Sequence, residues 1–298
     1  SRDHLDYHKS MDNYLNAKLT LFTDLTKNNA RCVFYQDLPF AKFPHFEFQD
    51  IWTYGPKSYN PLINANFVHI HNITQSLDGS QFNLFYDNKH DLCIKSNLIG
   101  KYTIENLVAA YILVDKFVDN FMPQILLQNF KSPPGRLEYM NNNINNLSSD
   151  APKVFVDYAH TPDALNKALD VLRPLCKRQL WVVFGCGGDR DQGKRPLMGN
   201  IAYKVADKVV ITSDNPRNED PIAIINDILK GITHRDDKVM IEPDRAEAIK
   251  LAINAAHKND IILVAGKGHE NYMEIKKQKI FFDDRAIVQN FLKGNYVL

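Results

Sequence analysis

Short apolar runs alternate with amphipathic stretches along the second half of the chain, from Val154 onward. Each run is rich in Val, Ile and Leu, which is typical of a buried strand. The predicted strands are residues 154–156, 180–184, 208–211, 238–241 and 261–264. The segments between them have helical spacing and cover residues 163–175, 198–206, 222–230 and 245–256. Strands that alternate with helices predict an α/β domain with a mainly parallel, covered sheet.

Outside this repeating pattern the elements are less regular. Residues 279–282 form a short apolar run bounded by charges, so we predict an edge strand there. The asparagine-rich residues 141–146 are interpreted as a surface loop. Upstream, helices are predicted at residues 10–26 and 104–121, separated by aromatic strand candidates. A Lys-Ser-Pro-Pro-Gly segment at residues 131–135 stops the preceding helix. We therefore divide the chain into predicted domains 1–131 and 132–298.

Composition narrows the class of protein. The chain has 298 residues, 44% of them apolar, which is enough for two cores because single domains stop growing near about 250 residues. Lys and Arg number 36 and Asp and Glu 35, so a net charge of +1 gives no broad attraction to nucleic acid or an anionic membrane. No apolar run approaches the roughly 18 residues of a membrane span. Four cysteines without a CxxC pair favour a reducing compartment, and we expect a cytoplasmic protein.

Polar and glycine-rich segments follow four predicted strands. They are Asp-Tyr-Ala-His at 157–160, Gly-Cys-Gly-Gly-Asp-Arg at 185–190, Ser-Asp-Asn-Pro-Arg at 213–217 and Ala-Gly-Lys-Gly-His-Glu at 265–270. In open parallel sheets ligands bind beyond the carboxyl ends of the strands, because loops and helix N-termini converge there. One such loop is typical of a solvated turn, but four together favour a cleft for an anionic or zwitterionic small ligand.

Two other patterns suggest chemistry less specifically. Residues 188–195, Gly-Asp-Arg-Asp-Gln-Gly-Lys-Arg, resemble a phosphate-binding P-loop, but Arg195 and Pro196 stand where a hydroxyl should reach Mg²⁺. Near the start, His4, Asp6 and His8 precede a helix that carries Lys18. This spacing could bind a metal, but it is a weak signal that capping or core roles explain better. From the residues alone, the reaction therefore stays open.

Five motifs occur in an order that resembles the Mur ligases of the MurE type. They are Pro-Pro-Gly-Arg-Leu-Glu at 133–138, Val-Asp-Tyr-Ala-His-Thr-Pro-Asp at 156–163, Gly-Gly-Asp-Arg at 187–190, Asp-Asn-Pro-Arg at 214–217 and Gly-Lys-Gly-His-Glu at 266–270. Residues 1–8 and Ala17-Lys18 resemble the central domain of the same family. The resemblance implies the remainder of a central ATPase domain followed by a Rossmann-like C-terminal domain.

The resemblance also implies a reaction. Such a ligase adds meso-diaminopimelate to UDP-N-acetylmuramoyl-L-alanyl-D-glutamate in peptidoglycan synthesis. The terminal carboxylate takes the γ-phosphoryl group of ATP, and the incoming amine attacks the acyl phosphate. Mg²⁺ offsets the charge on the phosphates and the oxyanion. The protein is then expected to be a cytoplasmic monomer without nucleic-acid or membrane partners.

In the central domain the resemblance implies three functional positions. His4 matches a metal-binding histidine, and Lys18 matches a catalytic lysine that becomes carbamylated and supplies an oxygen ligand to the metal. Asn106 matches an asparagine that contacts adenine. Thr103 stands where many relatives carry a further asparagine, so altered adenine contacts are expected.

In the C-terminal domain Arg136 and Asp157 match ATP-binding positions, with the Asp157 carboxylate suited to ribose hydroxyls. His160 is expected near the phosphates as a catalytic residue. The implied diaminopimelate pocket comprises Arg190, Asp214, Asn215, Arg217, Gly266 and Glu270. A guanidinium such as that of Arg217 can clasp the distal carboxylate of diaminopimelate, which lysine lacks, and this difference favours diaminopimelate.

The sequence departs from the family pattern at three places. The ATP-binding loop and the uridine-nucleotide domain are expected to precede Ser1, and the absence of an initiator Met also suggests a longer natural chain. Residues 31–95 lack the usual Asn-x-Asp-Asp stretch. We therefore expect poor ATP hydrolysis by this chain alone. The alternatives are a noncatalytic binding module and a ligase of the folylpolyglutamate synthase type, against which the Asp-Asn-Pro-Arg motif argues.

Overall fold

The computed structural model describes residues 8–27, 29–38, 50–58, 62, 65–86, 90–118, 128, 130–144, 147–234 and 236–294. Two compact units divide between Lys131 and Ser132. Within the described residues, no helix combines the length and apolar character needed to cross a membrane.

The N-terminal unit is a five-stranded sheet with helices. Its elements are α1 (Met11–Thr20), a π-helical turn (Leu21–Leu25), β1 (Arg31–Tyr35), β2 (Asp50–Gly55), β3 (Asn66–Ser76), β4 (Gly79–Tyr86), β5 (His90–Ser96) and α2 (Lys101–Asp115). The strands lie in chain order; β1, β2 and β3 are parallel, whereas β4 and β5 are antiparallel to their neighbours. Alternating residues such as Val68 and Ile70 are buried in one core with Ile104 and Val108 of α2, so the strand and helix periodicities meet there.

The C-terminal unit contains a six-stranded sheet in the order β10-β9-β8-β11-β7-β6. Its strands are β6 (Glu138–Tyr139), β7 (Lys153–Asp157), β8 (Leu180–Phe184), β9 (Lys208–Ile211), β10 (Val239–Ile241) and β11 (Ile261–Ala265). All pairs are parallel except β6 with β7. The helices are α3 (Pro162–Leu172), α4 (Lys194–Val205), α5 (Pro221–Leu229), α6 (Arg245–Ala255) and α7 (Asp284–Leu292). The predicted α/β fold with a mainly parallel sheet is confirmed.

Local capping places the helix starts beside the strand ends. Thr161, Asp220 and Asp244 are the N-caps of α3, α5 and α6, and each side chain accepts a hydrogen bond from a backbone N–H of the first turn. Proline occupies the first turn of α3 and α5, where a missing N–H costs nothing. These helices follow β7, β9 and β10, so polar loops and helix N-termini gather at one edge of the sheet.

The strand predicted at residues 279–282 is present, but it does not belong to the six-stranded sheet. The segment forms β13 (Gln278–Phe281), which pairs antiparallel with β12 (Tyr272–Ile275) in a separate two-stranded hairpin. The turn uses Lys276 and Lys277 with φ of 48° and 68°. Neither residue is a usual turn signal, so no local pattern predicted a hairpin here.

The interpretation of residues 141–146 as a surface loop was wrong for Asn141. This side chain is buried; its Nδ2 donates to the Pro152 carbonyl at 2.8 Å, and its Oδ1 accepts from the Val154 N–H at 2.9 Å. Asn141 therefore ties a 3₁₀ turn (Met140–Asn143) to the start of β7. Asn145 and Asn146 lie outside the described residues.

Candidate functional site

The loops after β7, β8, β9 and β11 meet at one edge of the sheet, because these four strands are neighbours. Backbone hydrogen bonds join them: the Gly188 N–H donates to the Asn215 carbonyl at 2.9 Å, and the Gly266 N–H donates to the Asp157 carbonyl at 3.1 Å. The four polar segments identified in the sequence are thus adjacent in space.

Asp214 holds a carboxylate oxygen that the described residues leave without a partner. The residue is 8% exposed, and its Oδ1 accepts from the Asn215 N–H at 2.7 Å. Its Oδ2 is covered and accepts no hydrogen bond from any described residue. Leaving a buried acceptor unpaired costs about 1–3 kcal/mol, so this oxygen is suited to accept from a ligand cation or donor.

Gly266 allows Asp214 to occupy this position. Its φ is +120°, and a Cβ there would lie 2.5 Å from Asp214 Oδ2. A side chain at this residue would therefore displace the unpaired oxygen as well as strain the backbone.

Gly266→Ala is expected to weaken ligand binding at this site by about tenfold or more, because the added methyl group displaces the Asp214 carboxylate. Calorimetric titration with meso-diaminopimelate measures the loss. Gly294→Ala is the matched control, since Gly294 also has a positive φ, +74°, but nothing lies within 4 Å of its Cβ position. Equal binding by the Gly266 variant and the wild type would show that Asp214 is not part of the site.

Lys267 connects two candidate pocket residues and was not selected from the sequence. It is fully buried, and its Nζ donates to Asn215 Oδ1 at 3.1 Å and to Glu270 Oε2 at 3.3 Å. Asn215 Nδ2 donates to the same Glu270 oxygen at 2.9 Å, while the Tyr158 hydroxyl lies 3.5 Å from Glu270 Oε1. The only signal for Lys267 was its place inside a Gly-Lys-Gly motif directly after a buried strand.

Arg217 presents a guanidinium whose direction is fixed. Its Nη1 donates to the Gly188 carbonyl at 2.8 Å and its Nε to Glu274 Oε2 at 3.1 Å, while Nη2 makes no hydrogen bond with a described residue. Arg190 is exposed nearby: a Cβ added to Gly187 would lie 3.8 Å from Arg190 Cγ and 2.9 Å from Arg217 Nη1. Two guanidinium side chains therefore flank Gly187.

Arg245 is a buried residue that supports the two loops of the site, and the sequence analysis did not identify it. It is buried, and its Nε and Nη2 each donate to one oxygen of Asp284 at 2.8 Å. Its remaining donors reach the carbonyls of Ser213 at 3.1 Å and Ala265 at 3.0 Å. These carbonyls directly precede Asp214 and Gly266, so Arg245 joins the two loops that bear the pocket residues.

The segment that resembles a P-loop has a structural role. Arg195, 1% exposed, lies in the first turn of α4 and donates to Asp227 Oδ2 at 2.9 Å and to Glu219 Oε1 at 2.8 Å. The hydrogen bond from Arg195 lowers the pKa of Glu219 below its ordinary value of 4.5. Hydrogen bonds from Lys230 and Arg195 likewise lower the pKa of Asp227 below 3.8.

These shifts predict acid sensitivity. A carboxyl whose folded pKa is lowered stabilises the fold above its unfolded pKa and loses that contribution as pH falls through the folded pKa. The melting temperature of the chain is therefore expected to drop as pH falls below about 4.5. Glu219→Gln keeps an acceptor but cannot titrate, so its acid limb should be flatter in scanning calorimetry. Parallel acid limbs for the two proteins would contradict the assignment.

The two candidate ATP-binding residues of this unit, Arg136 and Asp157, and the candidate catalytic residue His160 lie close to Tyr158. Asp157 is buried and accepts from the Leu137 N–H at 2.7 Å and the Ala159 N–H at 2.8 Å. Burial raises the pKa of Asp157, although these two hydrogen bonds oppose the rise. The exposed Arg136 guanidinium lies 4.8 Å from the Tyr158 ring centroid, and His160 Nδ1 lies 2.9 Å from the Tyr158 carbonyl oxygen. Asp157 thus fixes the Arg136–Leu137 turn. The contact of its carboxylate with ribose stays a prediction.

The other candidates belong to the N-terminal unit. Asn106 is exposed on α2, and Lys18 is exposed on α1 with its Nζ 5.5 Å from the Tyr14 ring centroid. His4 lies outside the described residues. Among those that are described, no group of three His, Cys, Asp or Glu side chains is arranged to hold a metal. Because Lys18 is exposed, it has room for a carbamate, and the metal site remains a prediction.

Two family models match the chain in the order of its two units. The Mur ligase middle domain matches residues 1–114, and the Mur ligase glutamate ligase domain matches residues 135–268. Together with the fold and the strand-end motifs, these matches show that the chain belongs to the Mur ligase family.

Several individual relatives that share one name are similar to nearly the whole chain. The UDP-N-acetylmuramoyl-L-alanyl-D-glutamate--2,6-diaminopimelate ligase of Prochlorococcus marinus strain NATL2A is 44% identical over 289 residues, which are 96% of this chain and 56% of that protein. The enzyme of the same name from Syntrophomonas wolfei is 40% identical over 99% of this chain and 58% of its own length. A solved structure with this name aligns with a TM-score of 0.62 at 36% identity, over 100% of this chain and 59% of that one.

More distant structures share the fold alone. The MurF ligase of Thermotoga maritima, solved with ADP, aligns with a TM-score of 0.68 at 14% identity over 98% of this chain and 59% of that one. The folylpolyglutamate synthase of Mycobacterium tuberculosis aligns at 0.52 and 20% identity over 73% of this chain and 47% of that one. The chain spans little more than half the length of the curated relatives it matches.

Proposed function

We propose that this chain forms the middle and C-terminal parts of an ATP-dependent ligase that adds meso-diaminopimelate to UDP-N-acetylmuramoyl-L-alanyl-D-glutamate. The observation that carries the proposal is the buried Asp214 Oδ2, which has no hydrogen-bond partner among the described residues, on the same loop as the guanidinium of Arg217. In keeping with that reaction, we place the protein in the cytoplasm, in peptidoglycan synthesis, as a monomer without nucleic-acid or membrane partners.

The distal centre of meso-diaminopimelate carries one ammonium and one carboxylate, and the pocket offers a match for each. Asp214 and Glu270 accept hydrogen bonds from the ammonium. Arg217 donates from Nη2 to the carboxylate, and Arg190 adds a second positive charge nearby. Lysine lacks the distal carboxylate and would leave these donors unpaired, a loss that supports strong discrimination.

The remaining candidate residues bind and orient ATP. Arg136 and Asp157 hold the ribose and nucleotide, His160 lies near the phosphates, and Asn106 contacts adenine. When bound, Mg²⁺, held by His4 and the carbamate of Lys18, offsets the charge of phosphates and oxyanion. The terminal carboxylate of the dipeptide attacks the γ-phosphorus of ATP, which releases ADP and forms the acyl phosphate. The amine of diaminopimelate then attacks the acyl carbon, which forms the amide bond and releases phosphate and a proton.

The test combines ligation with binding. The chain is incubated with ATP, Mg²⁺ and UDP-N-acetylmuramoyl-L-alanyl-D-glutamate, with meso-diaminopimelate or lysine, and the tripeptide product is detected by mass. The binding of each amino acid is titrated by calorimetry in parallel. Product with diaminopimelate alone supports the ligase. Selective binding of diaminopimelate without product is the result expected of a part of a ligase that hydrolyses ATP poorly by itself. Equal use of lysine, or no binding of diaminopimelate, overturns the proposal.

A further inference from the structure

The hairpin of β12 and β13 is attached to the loop that carries Arg217. The Arg217 N–H donates to the Glu274 carbonyl at 2.9 Å, and the Lys276 N–H donates to the Arg217 carbonyl at 2.7 Å. The Glu274 N–H donates to Asn215 Oδ1 at 2.9 Å. Arg217 is thereby held with a φ of +51°, a conformation that non-glycine residues rarely adopt.

The Glu274 side chain adds a contact that the backbone does not provide. Its Oε2 accepts from Arg217 Nε at 3.1 Å, and both side chains are largely buried, 27% and 18% exposed. The Gly188 carbonyl binds Nη1 from the opposite loop. With two of its three nitrogens bound by the protein, the guanidinium has one orientation, in which Nη2 is left for a ligand.

We propose that Glu274 is a positioning residue that gives the pocket its selectivity for an amino acid with a distal carboxylate, an inference that rests on the proposed function. An arginine side chain loses rotamer entropy when it is fixed. Glu274 fixes it before the ligand arrives, so the ligand carboxylate does not bear that cost. The negative charge of Glu274 itself repels a carboxylate, so its contribution is geometric.

The experiment uses calorimetric titration of the 298-residue chain with meso-diaminopimelate and with lysine. Glu274→Ala removes the Nε acceptor but keeps the three hydrogen bonds that join the backbone of the hairpin to Asn215 and Arg217. We expect its affinity for diaminopimelate to fall about tenfold while lysine binding changes less than about twofold. Glu274→Gln retains an acceptor oxygen and is expected to keep at least half of the wild-type affinity for diaminopimelate.

Gln278→Ala, at an exposed position on the second strand of the same hairpin, is the matched control and should bind as the wild type does. If Glu274 had a general structural role, Glu274→Ala would weaken the binding of both amino acids together. If it acted through its charge, Glu274→Gln would lose as much affinity for diaminopimelate as Glu274→Ala. Either result, or the same loss in Gln278→Ala, overturns the positioning role while the proposed function stands. A wild-type chain without preference for diaminopimelate overturns the proposed function itself, and the inference with it.

Discussion

Arg217→Ala is expected to weaken the binding of meso-diaminopimelate by at least about 100-fold and to leave lysine binding within about threefold of the wild type. The reason is the geometry of the guanidinium, which Gly188 and Glu274 hold with Nη2 free of described partners. Loss of charge-assisted hydrogen bonds to the distal carboxylate affects diaminopimelate alone, because lysine has no such group. Parallel calorimetric titrations with the two amino acids measure the ratio.

Arg217→Lys separates charge from shape. It keeps the positive charge but loses the planar fork and the simultaneous contacts to Gly188 and Glu274, so it should recover only a small part of the lost affinity. An unchanged preference for diaminopimelate in Arg217→Ala would place the selectivity elsewhere in the pocket. Full recovery in Arg217→Lys would show that charge is sufficient.

The second large effect concerns stability. Asp284→Ala is expected to lower the free energy of unfolding of the C-terminal unit by about 3–5 kcal/mol, because it leaves the Arg245 guanidinium buried without its countercharge. Both side chains are fully buried, and the pair forms two hydrogen bonds of 2.8 Å. Urea denaturation measures the loss in a Trp52→Phe background, where the fluorescence comes from Trp181 in the core of this unit.

A double variant distinguishes stability from support of the site. Arg245→Met with Asp284→Leu replaces the ion pair by apolar side chains, a change that is often neutral or stabilising. Stability should therefore recover, but the carbonyls before Asp214 and Gly266 lose their shared donor. The double variant is therefore expected to bind diaminopimelate more weakly than the wild type does. A loss below about 1 kcal/mol in Asp284→Ala would contradict the assigned role of the pair.

The positions of the strand-end loops could be predicted from the local sequence pattern. In β8 every residue of Leu-Trp-Val-Val-Phe is buried, and a short apolar run of this kind is typical of a strand inside a covered sheet. The Gly-Gly-Asp-Arg and Asp-Asn-Pro-Arg segments directly follow such runs, so parallel pairing alone brings them together. Their ligands were inferred from the family resemblance, and the roles of the individual residues remain predictions.

Residues that act through distant partners left no such pattern. Glu274 meets Arg217 across 57 positions, and Arg245 meets Asp284 across 39. From the sequence, Lys267 would be expected to be a solvent-exposed lysine. In the structure it is completely buried, and its Nζ donates to Asn215 and Glu270. Periodicity reports the faces of single elements, so it is silent about hydrogen bonds between loops.

The sequence by itself determined the alternation of strands and helices, the edge of the sheet that carries the polar loops, and the membership of the Mur ligase family. These depend on side-chain periodicity, on capping residues and on short ordered motifs, all of which are local. Only the tertiary structure decided that β12 and β13 form a separate hairpin, that Asn141 is buried and that Asp214 Oδ2 lacks a described partner. The physical reason is that burial and hydrogen-bond partners depend on which distant segments pack together, and no local pattern specifies that packing.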